Sequence, residues 1–249
     1  MRISMPGLSE RQKEILLAVV GEYIRTGEPV SSSDLCGRYR FGYSPATIRN
    51  ELLTLTETGY LAQPHTSAGR IPTDAGYRWY VDKIEERRPQ HDSLKMKRGE
   101  KHQIENLDEY DDIEEFFRAS TELLAGIGHG LAIGGSLGDA DEPLYKSGFG
   151  EILGDAEFLE PESRSRFGLL MDSIDEEMRG LARSHDLIEP QVFIGDENPI
   201  REARRYSMLV RQITRDGTLG IIAIIGPKRM RYEGALHLLR ALGAPLDNL

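Results

Sequence analysis

The segment from Ser44 to Gly59, "SPATIRNELLTLTETG", constrains the fold of this chain more than any other. Ser44 can accept a hydrogen bond from the free N–H groups that open a helix. Pro45 suits the first helical position because it has no N–H to lose, and Gly59 suits the residue just past the end. Ile48, Leu52 and Leu55 recur at i, i+4 and i+7, so the helix has one apolar stripe that must be covered. Thr47, Asn50, Glu51 and Thr54 then fall on its polar side, with Arg49 flanking them.

The neighbouring residues predict what covers the stripe. Residues 8 to 26 read as a helix: Ser9 is followed three residues on by Gln12, and Ile15, Leu16, Val19, Val20, Tyr23 and Ile24 recur at helical spacing before Gly27 and Pro29. A short helix fits "SSDLCGRYR", capped by one of Ser31 to Ser33 and ended by Gly42. Beyond Gly59, Tyr60 to Gln63 and Arg70 to Pro72 can form two short strands joined through "HTSAGRIPT", with Gly69 giving the turn its freedom. Thr73 caps a further helix, "DAGYRWYVDKIEE", whose Tyr77, Tyr80, Val81 and Ile84 can pack back.

Helix, helix, helix, hairpin, helix is the winged helix-turn-helix plan, in which the third helix enters the DNA major groove and the hairpin tip touches the flanking backbone. Arg49 can donate two hydrogen bonds to guanine, Asn50 can pair with an adenine edge, and the hydroxyls of Ser44 and Thr47 can reach phosphates or bases. Arg70, Arg78 and the basic run Lys95 to Arg98 are further candidates for phosphate contacts. A net charge of −10 argues against a polyanion as partner only until it is divided. Residues 1 to 100 carry 15 Lys and Arg against 13 Asp and Glu, net +2, and the rest carries −12.

Residues 1 to 84 are therefore expected to form a winged-helix DNA-binding domain. Residues 85 to 106, charged and without apolar periodicity, read as a linker, and residues 107 to 249 as a separate α+β domain. In that second half Ile113, Phe116, Phe117, Ser120, Leu123 and Leu124 mark an amphipathic helix within 107 to 126, and "IGHGLAIGG" resembles a strand. Residues 165 to 183 form a helix, and "QVFIG" a strand. The run "YSMLVRQITRDGTLGIIAIIG" is a hairpin turning at Asp216-Gly217, and its second arm, apolar on both faces, belongs at the centre of an antiparallel sheet. A helix from Arg231 to Leu242 would cover it.

Other functions find little support. Cys36 is the only cysteine, so an intrachain disulfide and a cysteine-based zinc site are excluded, and it reads as a small core residue. The six histidines lack metal-ligand spacing, and "DEYDDIEE" reads as a solvated helix face rather than as paired catalytic carboxylates. "GPKRM" lacks the spacing of a phosphate-binding loop, and no hydrolase elbow is present. Neither an enzyme nor a bound metal or cofactor is expected. With no apolar run of membrane length and no signal-peptide core, the expected location is the cytoplasm, away from any membrane.

The stretch "SPATIRNELLTLTETGYLAQPHTSAGRIPTDAGYRWYVD" resembles, nearly residue for residue, the N-terminal signature of the HrcA family, the heat-inducible transcription repressors of bacteria. "VFIGDENP" and "LGIIAIIGPKRMRY" resemble its C-terminal segments, and "LYKSGFGEILGDAEF" its middle, more weakly. The resemblance implies a repressor of chaperone genes that binds the inverted-repeat CIRCE operator as a homodimer, kept active by a GroE-type chaperonin. It also implies a GAF-like second domain with an inserted dimerisation subdomain. Carried onto this chain, the recognition-helix contacts are Ser44, Thr47, Arg49 and Asn50, and the wing contacts His65, Thr66, Ser67 and Arg70. The chain is short for the family, and the deficit falls between "LAIGGS" and "LYKSG", so much of the inserted subdomain is missing and the dimer is expected to use another surface. The rival reading is a ligand-sensing regulator using a pocket of the GAF-like domain, for which the sequence offers no clear polar constellation.

Overall fold

In the computed structural model, residues 7–86, 98–138, 142–154 and 161–243 are described, and the chain divides into two units, Met1–Arg87 and Arg88–Leu249. In the first, α1 (Glu10–Thr26), α2 (Ser32–Arg38) and α3 (Pro45–Glu57) precede the paired β1 (Leu61–Ala62) and β2 (Ile71–Pro72), and α4 (Asp74–Glu86) follows. The caps are local. Ser9 and Gln12 bond reciprocally at the start of α1, which Gly27 ends at φ 70°. Of Ser31, Ser32 and Ser33 it is Ser31 that caps α2, paired with Asp34, while the other two lie within the helix. The Ser44 hydroxyl accepts the Thr47 N–H at 3.2 Å, and Pro45 opens α3.

Fully buried Ile15, Leu16, Val19, Leu35, Ile48, Leu55 and Val81 join the four helices, each such side chain contributing about 1.5–3 kcal/mol. On α1, however, Tyr23 and Ile24 are only half-buried, and Glu22 is the buried neighbour. Its carboxylate accepts from Arg25 at 2.6 Å, Arg38 at 2.5 Å and the Tyr39 hydroxyl at 3.1 Å, which offsets its desolvation. Tyr39, Phe41 and Tyr43 stack in sequence, with centroids 5.3 and 6.4 Å apart, and the Tyr43 hydroxyl donates to Glu14 at 3.2 Å. The connection from α2 to α3 is thus laid along α1, which fixes where α3 begins.

The second unit holds α5 (Arg98–Glu105), a 3-10 turn over Asn106–Glu109, α6 (Ile113–Gly128), β3 (Leu131–Ser136), β4 (Tyr145–Ser147) and α7 (Phe149–Leu153). It continues with α8 (Pro161–Ser184), β5 (Gln191–Ile194), β6 (Ser207–Arg215), β7 (Thr218–Gly226) and α9 (Tyr232–Ala241). The architecture is α+β, with one antiparallel sheet in the order β4-β3-β7-β6-β5. The expected hairpin is β6–β7. Its turn places Asp216 at φ 50° and Gly217 at φ 79°, the left-handed pair of a two-residue turn, and β7 is the central strand.

One sheet face, including Ile133, Met208, Val210, Ile221 and Ala223, packs on Phe167, Leu170, Ile174 and Met178 of α8. On the other face α6 approaches at glycines: a Cβ on Gly220 would lie 2.0 Å from the Phe117 ring, and one on Gly134 2.4 Å from Thr121 Oγ1.

Several expectations are corrected here. The stretch 85 to 106 is not a plain linker, because α4 runs to Glu86 and α5 occupies Arg98–Glu105. The helix placed in 107 to 126 starts only at Ile113, because the Asp112 carboxylate caps it by accepting from the N–H groups of Glu114 and Glu115, both at 2.9 Å. Part of the acidic cluster is therefore a cap. The strand β4 and helix α7 were not anticipated, and α8 begins four residues before the expected start. At the short connection between β3 and β4, Arg179 donates to the carbonyls of Ser136 at 3.4 Å and Glu142 at 2.5 Å.

Candidate nucleic-acid interface

The first unit carries 11 Lys and Arg against 11 Asp and Glu, so what an approaching anion meets depends on where each carboxylate points. On α3 the sequence placed Glu51 on the polar side, and that is corrected. Glu51 is only 8% exposed, held against α1 by Arg11 at 2.6 Å and by the Gln12 amide at 3.1 Å. The only acid between Pro45 and Thr56 is thereby turned inward and neutralised.

The outward face of α3 is formed by Ala46, Arg49, Asn50, Leu53 and Glu57. The side chains of Arg49 and Asn50 make no hydrogen bond or ion pair among the described residues, so their donors and acceptors face solvent unspent. Leu53 is 45% exposed, an apolar side chain beside them that the sequence reading passed over. It lies one residue off the buried Ile48–Leu52–Leu55 stripe. Marking Ala46, Arg49, Asn50 and Leu53 as i, i+3, i+4 and i+7 would have revealed the face.

At the start of the helix, the hydroxyls of exposed Ser44 and half-buried Thr47 bond to each other at 2.9 Å. Since one proton is used in that bond, the pair keeps one hydroxyl proton for a further acceptor. The helix opening adds its own positive end.

The hairpin tip is organised by backbone. The Ala68 N–H donates to the His65 carbonyl at 2.9 Å, and the Gln63 amide donates to the carbonyls of Thr66 and Ala68, both at 3.0 Å. His65, Thr66 and Ser67 are exposed, and their side chains make no hydrogen bond among the described residues. Arg70 is placed differently from them. It is half-buried, its Nε donates to Thr56 Oγ1 at 2.9 Å, and its backbone exchanges bonds of 2.8 and 2.9 Å with Val30. Arg70 thus belongs to the base of the hairpin as much as to its surface.

The expected role of Gly69 is also corrected. Its φ is not left-handed; what requires glycine is proximity, since a Cβ there would lie 2.5 Å from the Val30 carbonyl carbon. Arg78 is 3.6 Å from Asp82 on its own helix, and the side chains of the basic run Lys95 to Arg98 lie outside the described residues.

In the second unit a groove of about 540 Å³ lies between α5, the 3-10 turn and α6, lined by residues including Gln103, Leu107, Tyr110, Glu122 and Leu123. "GPKRM" is the turn from β7 to α9, closed by the Met230 N–H on the Pro227 carbonyl at 2.9 Å. Among the described residues no group of His, Cys, Asp and Glu is arranged to hold a metal, and no helix is long and apolar enough to cross a membrane.

Residues 90–236 match the family profile described as the HrcA protein C terminal domain. The chain is 46% identical over 125 residues to the heat-inducible transcription repressor HrcA of Beutenbergia cavernae, a stretch covering 50% of this chain and 34% of that protein. It is 59% identical over 80 residues to the protein of the same name from Desulforudis audaxviator, covering 32% of this chain and 23% of the relative. The aligned stretches thus span about a third or less of those relatives' lengths. A crystal structure described as that of a hypothetical protein superposes with a TM-score of 0.78 at 18% identity, over 95% of this chain and 96% of that one, a likeness of fold.

Proposed function

The chain belongs to the HrcA family, and from that membership we propose that it is a DNA-binding transcription repressor of heat-shock genes. Residues 1–84 act as a winged helix-turn-helix domain, with α3 in the major groove. Residues 107–249 act as a GAF-like regulatory and dimerisation domain. The observation that carries this reading is the outward face of α3, where Arg49 and Asn50 stand exposed and unspent while Glu51 is drawn inward onto Arg11. From Ala46 to Leu53 such a face offers bidentate partners to guanine and adenine edges with no exposed carboxylate to repel the backbone, Glu57 lying a turn further on.

In this reading Ser44 and Thr47 present their remaining hydroxyl proton to a phosphate, and His65, Thr66, Ser67 and Arg70 meet the flanking backbone. The operator is an inverted repeat of the CIRCE type and the protein acts in the cytoplasm as a homodimer, since two-fold DNA demands two-fold protein. A GroE-type chaperonin is its regulatory partner.

A titration of the full chain against the inverted-repeat duplex and a scrambled duplex, at several salt concentrations, tests the proposal. Tighter binding to the repeat, weakening steeply with salt, is expected; equal affinity for both sinks it. In the same assay Arg49→Ala reduces the preference between duplexes, whereas Arg70→Ala weakens both alike.

The groove between α5 and α6, with Gln103, Tyr110 and Glu122 in its lining, favours a second reading in which the second unit also senses a small ligand. A thermal-shift screen with nucleotides and metabolites tests it, because a ligand of the folded state raises the melting temperature.

A further inference from the structure

The outward face of α3 holds a residue that hydrogen-bond readout leaves unexplained. Leu53, 45% exposed, shares this face with Arg49 and Asn50, four and three residues earlier, and the apolar surface it leaves in water is available for a partner to bury. We propose that Leu53 is a specificity residue that reads a thymine through its C5-methyl group in the major groove. The inference rests on the DNA-binding reading above and names what that reading leaves open.

Three observations support it. The residues Ala46, Arg49, Asn50 and Leu53 occupy i, i+3, i+4 and i+7, so they line one strip about 10 Å long at 1.5 Å per residue, the span of about three base steps. The strip has its polar readers in the middle and an apolar side chain at its C-terminal end, and Ala46 at the other end is small enough to let the first turn approach the base edges. The charge also fits. With Glu51 turned inward onto Arg11, the strip from Ala46 to Leu53 bears a cation and no exposed carboxylate, which suits a polyanion rather than an apolar protein surface. In the major groove only thymine presents a methyl group, so a leucine beside an arginine and an asparagine completes a reader for a mixed sequence.

The test is a cycle of protein and base changes. The inverted-repeat duplex is made with deoxyuridine in place of each thymine in turn, which deletes one methyl and nothing else. The full chain and its Leu53→Ala variant are titrated with each duplex. The parent protein is expected to bind three- to fivefold more weakly when one particular thymine of the half-site loses its methyl, about the value of one buried methyl group. Leu53→Ala is expected to lose that sensitivity at that position alone. Tryptophan fluorescence from Trp79, the only tryptophan, confirms that the variant folds.

Methyl deletions that affect both proteins equally at every position overturn the role of Leu53 while leaving the repressor reading intact. Affinity for every duplex unchanged by Leu53→Ala does the same, and shows that this end of the strip meets something other than DNA. A parent protein that does not prefer the repeat over the scrambled duplex overturns both.

Discussion

Replacing Gly69 with alanine tests how the hairpin is held to the helices. Its missing side chain lets the strand pass so close to Val30 that a Cβ would lie 2.5 Å from the Val30 carbonyl carbon, 2.6 Å from its oxygen and 2.7 Å from the Pro29 carbonyl carbon. All three are backbone atoms, so no side chain can rotate aside, and the strand itself must move. That movement breaks the two hydrogen bonds between Val30 and Arg70, of 2.8 and 2.9 Å, each contributing about 1 kcal/mol net. Residual crowding adds about 1–3 kcal/mol, for a total near 3–5 kcal/mol.

In a unit of this size each kcal/mol moves the melting temperature by about 4–8 °C, so a fall of about 10 °C or more is expected for Gly69→Ala. Trp79 on α4 reports the first unit specifically, so fluorescence-detected melting of the full chain is the assay. Gly37→Ala is the control: it lies within α2 with nothing near its Cβ position, and alanine there is expected to stabilise by a few tenths to about 1 kcal/mol. A melting temperature for Gly69→Ala within a degree of the parent would refute the argument that the Val30 bridge anchors the hairpin.

Two further outcomes are expected from the same fluorescence signal. Ser44→Ala removes the acceptor of the Thr47 N–H and is expected to lower stability by about 1 kcal/mol, and Ser44→Asp to restore much of that loss. At α2 the Ser31 hydroxyl and N–H hold the Asp34 carboxyl below its ordinary value. Because the folded value is the lower one, the stabilisation is present above the unfolded value of about 3.9 and is lost as pH falls through the folded value. Asp34→Asn is therefore expected to differ from the parent in denaturation midpoint at neutral pH and to converge with it in acid. A gap that stays constant with pH would place the effect elsewhere.

The parts of this structure that were legible in the sequence are those fixed within four residues. Ser44 and Pro45 announce the start of α3, Ser9 and Gln12 that of α1, and Asp216-Gly217 the turn between β6 and β7, because each uses only neighbouring backbone and a dihedral preference. The central place of β7 was legible too, since a strand apolar on both faces has no solvent side. What stayed hidden depends on partners distant in sequence. Periodicity placed Glu51 outward and had no means of knowing that Arg11 and Gln12 wait beneath it, about forty positions earlier. Gly69 reads as a turn glycine until Val30 is brought against it.

The same reason governs the charged residues of the second unit. A pattern rule reads Arg211 as the polar break in a strand, yet it is 7% exposed and donates to the carbonyls of Leu239, Arg240 and Gly243, where α9 ends. A strand cation thus helps to finish a helix, adding to the bond that the Gly243 N–H makes with the Arg240 carbonyl at 3.2 Å. Turning Glu51 inward is the counterpart in the first unit: an ion pair buried at its Glu51 end and exposed at Arg11 removes a carboxylate from the outward face of α3. The affinity of that face for an anion is therefore set in part by a contact on its opposite side, between α3 and α1. A substitution that frees Glu51, such as Arg11→Ala, acts on the charge of the interface without touching any residue exposed on it.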